Sequence, residues 1–200
     1  MRNNMFAETI SNDEINELEL GRFEGPIKLI NTAEELKTAL IKLSKEKVVG
    51  FDTESKPTFK KGEFNNVSLI QIATQKVAYL IRVNLTGITD ELILFLESKS
   101  IIKVGVALRD DLKDLKKLRP FNPGGFEELN QMVKEIGIEC NGLRKLTAII
   151  LGFRISKNAQ VSNWENETLT EKQLYYAATD AWVCVTMHCK LVKQGLLQHS

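Results

Sequence analysis

Val48-Val-Gly-Phe-Asp-Thr-Glu54 is a short apolar run that stops abruptly at two carboxylates. Lysines precede it, and a polar stretch with Lys56, Pro57, Lys60, Lys61 and Gly62 follows over residues 55–66. β-branched and aromatic residues in this order read as a strand, Val48–Asp52. Strand side chains alternate between faces, so Asp52 and Glu54 project to the same side, about 7 Å apart along the backbone. Acidic residues are 26 of 200, so an acidic i, i+2 pair has little weight alone. Its place at the end of an apolar strand, where α/β sheets form ligand sites, gives it weight.

Around this strand the pattern predicts four more: Ile27–Ile30, Val67–Ala73, Val77–Ile81 and Ile101–Ala107. Only Thr74-Gln-Lys76 separates the third and fourth in chain order, which reads as a hairpin and makes the sheet mixed. Thr32-Ala-Glu-Glu35 is a capping box with Leu36, Ala39, Leu40 and Leu43 at helical spacing behind it. Further helices are predicted at Asp90–Glu97, from near Arg109, at Leu129–Ile136, at Leu143–Leu151 and, behind the capping box Thr170-Glu-Lys-Gln173, from Thr170 to Lys193. The expectation is an α/β domain with a mixed central sheet of about five strands flanked by helices. Residues 1–24 are polar and acidic and read as an N-terminal extension with one short helix, leaving 25–200 as the domain.

Composition excludes several classes. With 43% hydrophobic and 26% charged residues over 200 positions, the chain is neither disordered nor fibrous, and it can bury a core without disulfides. Twenty-seven basic against 26 acidic residues give a net charge of +1, so a polyanion has to be held by a local patch or by metal ions. Cys140, Cys184 and Cys189 are odd in number and lack zinc-site spacing. No secretory signal or membrane-spanning run is visible, so a cytoplasmic protein without membrane contact is expected.

Two further acidic sites stand out. Lys103-Val-Gly-Val-Ala-Leu-Arg-Asp-Asp111 carries a buried strand into a helix whose first turns hold Asp110, Asp111 and Asp114, an arrangement that also suits the helix dipole. In Tyr175-Tyr-Ala-Ala-Thr-Asp180, Tyr176 and Asp180 share one helical face, and the small residues between them permit close approach to a sheet. An Asp among apolar and small residues is costly to ionise unless a cation or donors compensate it. Asp52, Glu54, Asp111 and Asp180 together would supply four negative charges. Such a set makes sense around two hard divalent cations, Mg²⁺ or Mn²⁺, of the kind used in phosphodiester cleavage.

Phe51-Asp-Thr-Glu54, Val104-Gly-Val-Ala-Leu-Arg-Asp-Asp111-Leu and Tyr176-Ala-Ala-Thr-Asp180-Ala resemble, in order, the three motifs of the DEDDy 3′–5′ exonucleases of the ribonuclease H-like, DnaQ-like superfamily. The flavour is that of the Werner-type exonuclease domain, with ribonuclease D as a cousin. Val67–Ala73 and Ile155-Ser-Lys-Asn-Ala-Gln-Val-Ser-Asn-Trp164 are similar to the segments beside the first and third motifs, so the resemblance spans about residues 27–195. It implies a ribonuclease H-like three-layer fold and a catalytic set of Asp52, Glu54, Asp111, Tyr176 and Asp180. The four carboxylates would hold metal, Tyr176 would orient the attacking water, and the Thr53 backbone would lie near the 3′ end. Asp110 stands beside Asp111, which leaves the second-motif ligand open by one position, and Asn163 stands where relatives often carry Asp. The implied activity is metal-dependent release of nucleoside monophosphates from a nucleic acid 3′ end. The Werner-type flavour tilts the expectation to DNA; ribonuclease D-like trimming of RNA and a silent nucleic-acid-binding domain are the alternatives. No helicase, polymerase or ribonuclease D C-terminal module is recognised.

Two further expectations concern substrate grip and pH. Lys56, Lys60 and Lys61, or Arg109, Lys113, Lys116, Lys117 and Arg119, are candidates for holding phosphates, with a solvated charged face as the alternative. Phe59, Phe64 and Trp164 are candidates for stacking on bases, with core packing the alternative for Trp164. Both histidines, His188 and His199, lie past the motifs, so activity is expected to lack a histidine inflection near pH ~6–7.

Overall fold

The computed structural model describes residues 5–58 and 64–197. Among these, six strands form one sheet: β1 (Ile27–Ile30), β2 (Val48–Ser55), β3 (Val67–Ala73), β4 (Ala78–Ile81), β5 (Ile102–Gly105) and β6 (Phe126–Glu128). Their order is β1-β4-β3-β2-β5-β6. β3 runs antiparallel to both β2 and β4, and the remaining pairings are parallel, so the sheet is mixed. The helices are α1 (Asn12–Glu17), α2 (Ala33–Leu43), α3 (Val83–Thr86), α4 (Asp90–Glu97), α5 (Leu108–Leu118), α6 (Leu129–Met132), α7 (Leu143–Leu151) and α8 (Glu171–Lys193).

Alternation along the strands builds three layers. Phe51, Ile70, Ile72 and Ile81 share a buried cluster with Leu36 and Leu40 of α2, Leu92 and Leu96 of α4, and Leu108 and Leu115 of α5. Leu69, Ala73 and Leu80, from the opposite face, cluster with Ala177, Ala178 and Ala181 of α8. β3 is buried at all seven positions, as expected of a strand covered on both sides. Small residues let α8 lie almost on the sheet. A Cβ at Gly50 would sit 1.8 Å from the Ala181 carbonyl oxygen, so β2 and the middle of α8 meet backbone to backbone.

Three expectations change. β6 is a sixth strand; it is three residues long with one apolar side chain, too short for any period to be legible. The helix expected over 129–136 is one α-helical turn followed by a 3₁₀ turn, Val133–Ile136, closed by Gly137 in the left-handed region. β2 continues past Asp52 to Ser55, which keeps Glu54 on the strand. The segment before β1 carries the short helix α1, and it is tied to the body. Ile15 and Phe23 are buried, and the Phe23 N–H donates to Thr179 Oγ1 at 3.0 Å. No helix of the described residues is long and apolar enough to cross a membrane.

Candidate active site

β2, α8 and α5 converge where β2 ends. Asp52 and Glu54 leave β2 on the α8 side, and Asp180 meets them from α8. One carboxylate oxygen from each of these three residues lies within 4.8 Å of the others. Thr53 points to the opposite side of β2, where its hydroxyl donates to the Asp111 carboxylate at the start of α5. Asp110 is exposed, so the geometry separates the two adjacent aspartates and turns Asp111 inward. Tyr176, one turn before Asp180 on α8, sets its hydroxyl beside the carboxylates of Asp180 and Glu54.

Electrostatics make this set a poor resting place for four negative charges. Burial pushes the Glu54 carboxyl up to about 9, with Asp180 and Asp111 adding repulsion. Asp180 rises to about 7 through burial, which the neighbouring Tyr176 hydroxyl opposes. Asp111 rises to about 6, again through burial, while the Thr53 hydroxyl opposes the shift. Asp52 lies well above the usual carboxylate range, first from burial and then from Asp180, Asp111 and Glu54. Burial and the neighbouring carboxylates push the Tyr176 phenol upward, so it stays protonated. The Cys184 thiol, also beside the carboxylates, donates to the Asp180 backbone oxygen at 3.3 Å and is held neutral by burial. Converging oxygen donors that repel one another fit a hard divalent cation, whose charge would offset both the repulsion and the desolvation.

The carboxylates open into a cleft of about 460 Å³. Arg144, Lys145 and Lys157 line it, together with Asn12 from α1. Sequence reasoning overlooked these three cations. Arg144 and Lys145 had one legible signal: they sit in the first turn of α7, the helix end whose dipole disfavours cations. Arg144 is held by Asn16 at 2.5 Å and Asn12 at 3.5 Å.

The expected grip residues are placed differently. Lys56 pairs with Glu165 at 3.5 Å and is not part of the cleft lining. On α5, Lys117 pairs with Asp114 at 2.6 Å, and just beyond it Arg119 is bound to Ile88 O at 2.9 Å and to the Asp90 carboxylate. Trp164 is fully buried among Leu69, Ala177 and Leu169, which takes its ring away from any base and corrects the stacking expectation. Gln173, the third residue of α8, donates to Ser162 Oγ and Asn163 O and fixes the Trp164 segment against the helix. Phe64 is exposed beside Lys117. Phe59, Lys60, Lys61 and His199 lie outside the described residues.

Comparison with known proteins identifies the family. Residues 27–195 match the family model described as 3'-5' exonuclease. The mouse bifunctional 3'-5' exonuclease/ATP-dependent helicase WRN is 35% identical over 164 residues, which cover 78% of this chain and 12% of that protein. The chain spans only 12 to 40% of the length of the first curated relatives it matches. Among solved structures, the Aedes aegypti Nibbler EXO domain superposes with a TM-score of 0.77 at 25% identity, covering 88% of this chain and 91% of that one. Trypanosoma brucei RNase D in complex with RNA U12 gives a TM-score of 0.74 at 21% identity, over 84% of this chain and 63% of that one, a likeness of fold. The chain therefore belongs to the DnaQ-like 3′–5′ exonuclease family.

Proposed function

We propose that the chain is a hydrolytic 3′–5′ exonuclease that releases nucleoside 5′-monophosphates from a nucleic acid strand using two divalent cations, Mg²⁺ or Mn²⁺. The observation that carries this reading is the convergence of Asp52, Glu54 and Asp180, with Asp111 tied to Thr53 beside them. These four carboxylates would hold the cations. When bound, such cations lower the pKa of water and offset charge on the leaving oxygen. The Tyr176 hydroxyl, beside Asp180 and Glu54, is placed to orient a water; held protonated, it offers no phenolate to serve as a base. Arg144, Lys145 and Lys157 neutralise backbone phosphates from the facing wall of the cleft. Thr53 sits under the terminal nucleotide and holds Asp111 in place.

DNA is the proposed substrate, on the Werner-type flavour of the motifs Phe51–Glu54, Val104–Leu112 and Tyr176–Ala181. We place the protein in the cytoplasm, where the free thiols of Cys140, Cys184 and Cys189 persist. The test is a gel time course on 5′-labelled single-stranded DNA, on RNA and on a recessed-3′ duplex, with Mn²⁺, Mg²⁺ or EDTA. A metal-dependent ladder that shortens from the 3′ end and is absent in Asp52→Ala/Glu54→Ala is expected. A faster ladder on RNA moves the assignment to ribonuclease D-like trimming. No ladder on any substrate, with binding retained, makes the chain a silent nucleic-acid-binding domain.

A further inference from the structure

Behind Tyr176 lies a second cavity, of about 370 Å³. It shares Ser156, Tyr176 and Asp180 with the catalytic cleft, so the two spaces adjoin across Tyr176. Its outer wall is Leu20-Gly21-Arg22, which precedes the residues 27–195 matched by the family model. This wall is anchored. The Gly21 N–H donates to Arg154 O at 2.9 Å, the Arg154 N–H to Glu19 O at 2.9 Å, and the Phe23 N–H to Thr179 Oγ1 at 3.0 Å. Gly21 also lies flat against the Phe153 ring, where a Cβ would come within 2.3 Å.

The cavity wall carries two cations, Arg22 and Lys172, and two tyrosine rings beside the carboxylates of Glu171 and Asp180. The Arg22 guanidinium lies 4.1 Å from the centroid of the Tyr175 ring. A guanidinium stacked on an aromatic ring presents a flat cationic face, on which a base stacks without sequence preference. Lys172 adds a second cation to the wall, and Leu20 at the rim is 57% exposed although apolar. Arg22 also pairs with Glu24 at 2.8 Å, but both side chains are more than half exposed, and a pair of that kind yields readily to a phosphate or a base. The volume falls within the ~300–1,000 Å³ range of small-ligand pockets.

We propose that Leu20–Arg22 and Tyr175 form a subsite for the nucleotide on the 5′ side of the cleaved bond, while the catalytic cleft holds the terminal one. The Arg22–Tyr175 stack receives its base, and Lys172 faces its phosphate. This rests on the exonuclease reading above. The segment before the family core thereby becomes part of the substrate track.

Steady-state kinetics of Arg22→Ala and Arg22→Lys on a single-stranded oligonucleotide of about ten nucleotides test it, compared with the p-nitrophenyl ester of thymidine 5′-monophosphate, which is too small to span both spaces. Arg22→Ala is expected to raise KM for the oligonucleotide about tenfold with kcat changed less than about twofold, the size of one lost stacking contact. The selectivity for oligonucleotide over ester falls by the same factor. Arg22→Lys keeps the charge and loses the flat face, so it recovers only a minor part of the loss. Leu20→Trp, which narrows the cavity mouth without touching Arg22, raises KM as well and replaces Arg22→Ala if that variant melts early. Binding of a fluorescein-labelled oligonucleotide in EDTA is measured alongside. An unchanged KM or, in a protein that cleaves neither substrate, an unchanged Kd in both Arg22→Ala and Leu20→Trp overturns the subsite. Loss of cleavage in the parent protein together with weaker binding in both variants removes the exonuclease reading and keeps the subsite.

Discussion

The carboxylate of Glu128 on β6 accepts the backbone N–H of Ala107 at 3.0 Å, and its second oxygen accepts the N–H of Leu108 at 2.9 Å. Ala107 is the non-glycine residue with positive φ (62°) among the described residues, and it caps α5 without a side-chain hydrogen bond of its own. Glu128 therefore does from a neighbouring strand what an N-cap side chain does from within: it satisfies orphan donors and meets the positive end of the helix dipole. Asp111 is the fourth residue of that helix, so the turn held by Glu128 determines where Asp111 points.

Glu128→Ala is accordingly expected to cost about 2–3 kcal/mol of stability, the worth of charge-assisted hydrogen bonds left unmade. Cleavage falls by about tenfold through kcat, since the residue acts on the position of Asp111. Ala107→Gly removes the left-handed penalty of about 1 kcal/mol and should restore part of both losses in the double variant. Chemical denaturation and kinetics of the four proteins check this; a double variant no more stable and no more active than Glu128→Ala alone would contradict it.

Tyr176→Phe isolates the hydroxyl that lies beside Asp180 and Glu54. kcat should drop by about 10–100-fold, the usual range for losing one positioned group, while KM for the strand stays within about twofold. Because burial and the carboxylates keep the phenol protonated, the parent profile should show no descending limb at alkaline pH that the Phe variant lacks. A variant with full kcat would remove Tyr176 from the reaction.

The strand that ends in Asp52 and Glu54, the hairpin of β3 and β4, and the capping boxes of α2 and α8 were all legible, because each writes its period or its cap into a few adjacent residues. β6 was not, since three residues hold no period and the strand exists only because β5 offers an edge. The carboxylates of the site were readable as types with spacing. The wall facing them was less so: the first-turn cations Arg144 and Lys145 of α7 were the one local signal, and Lys157 reaches the cleft through the packing of the 155–164 segment on α8, which no local pattern marks. Stacking and core packing both stayed open for Trp164, because its burial depends on Leu69, about a hundred residues earlier in the chain.

Gly50→Ala tests the contact on which the site geometry depends. The added methyl would lie 1.8 Å from the Ala181 carbonyl oxygen, a backbone atom in mid-helix that cannot rotate away. α8 must lift off β2, at a cost of about 3 kcal/mol or more, the upper range for overpacking. Asp180, next to Ala181, moves away from Asp52 with it, so divalent-cation affinity falls together with the denaturation midpoint. An unchanged midpoint would mean that α8 has slack that this contact denies.

Proton and metal should compete for the carboxylates, and the sign follows from their shifts. Glu54 near 9, Asp180 near 7 and Asp111 near 6 all lie above the ~4 expected of unfolded carboxyls. Over that interval the folded, metal-free protein binds more protons than the unfolded chain. Their contribution to stability is thus complete below about pH 4 and is lost as pH rises through 6, 7 and 9. The melting temperature of the metal-free protein should therefore decline from pH 5 to pH 9, and Asp52→Asn, by removing one charge, should flatten the decline. Excess Mn²⁺ binds the deprotonated set, so the shift it produces grows over the same range. Any activity inflection near pH 6–7 should not come from a histidine. His188 is buried 3.5 Å from Glu127, outside the cleft lining, and His188→Ala should leave the inflection in place. A metal-induced shift that shrinks with rising pH, or an inflection that disappears with His188, would contradict the titrating cluster.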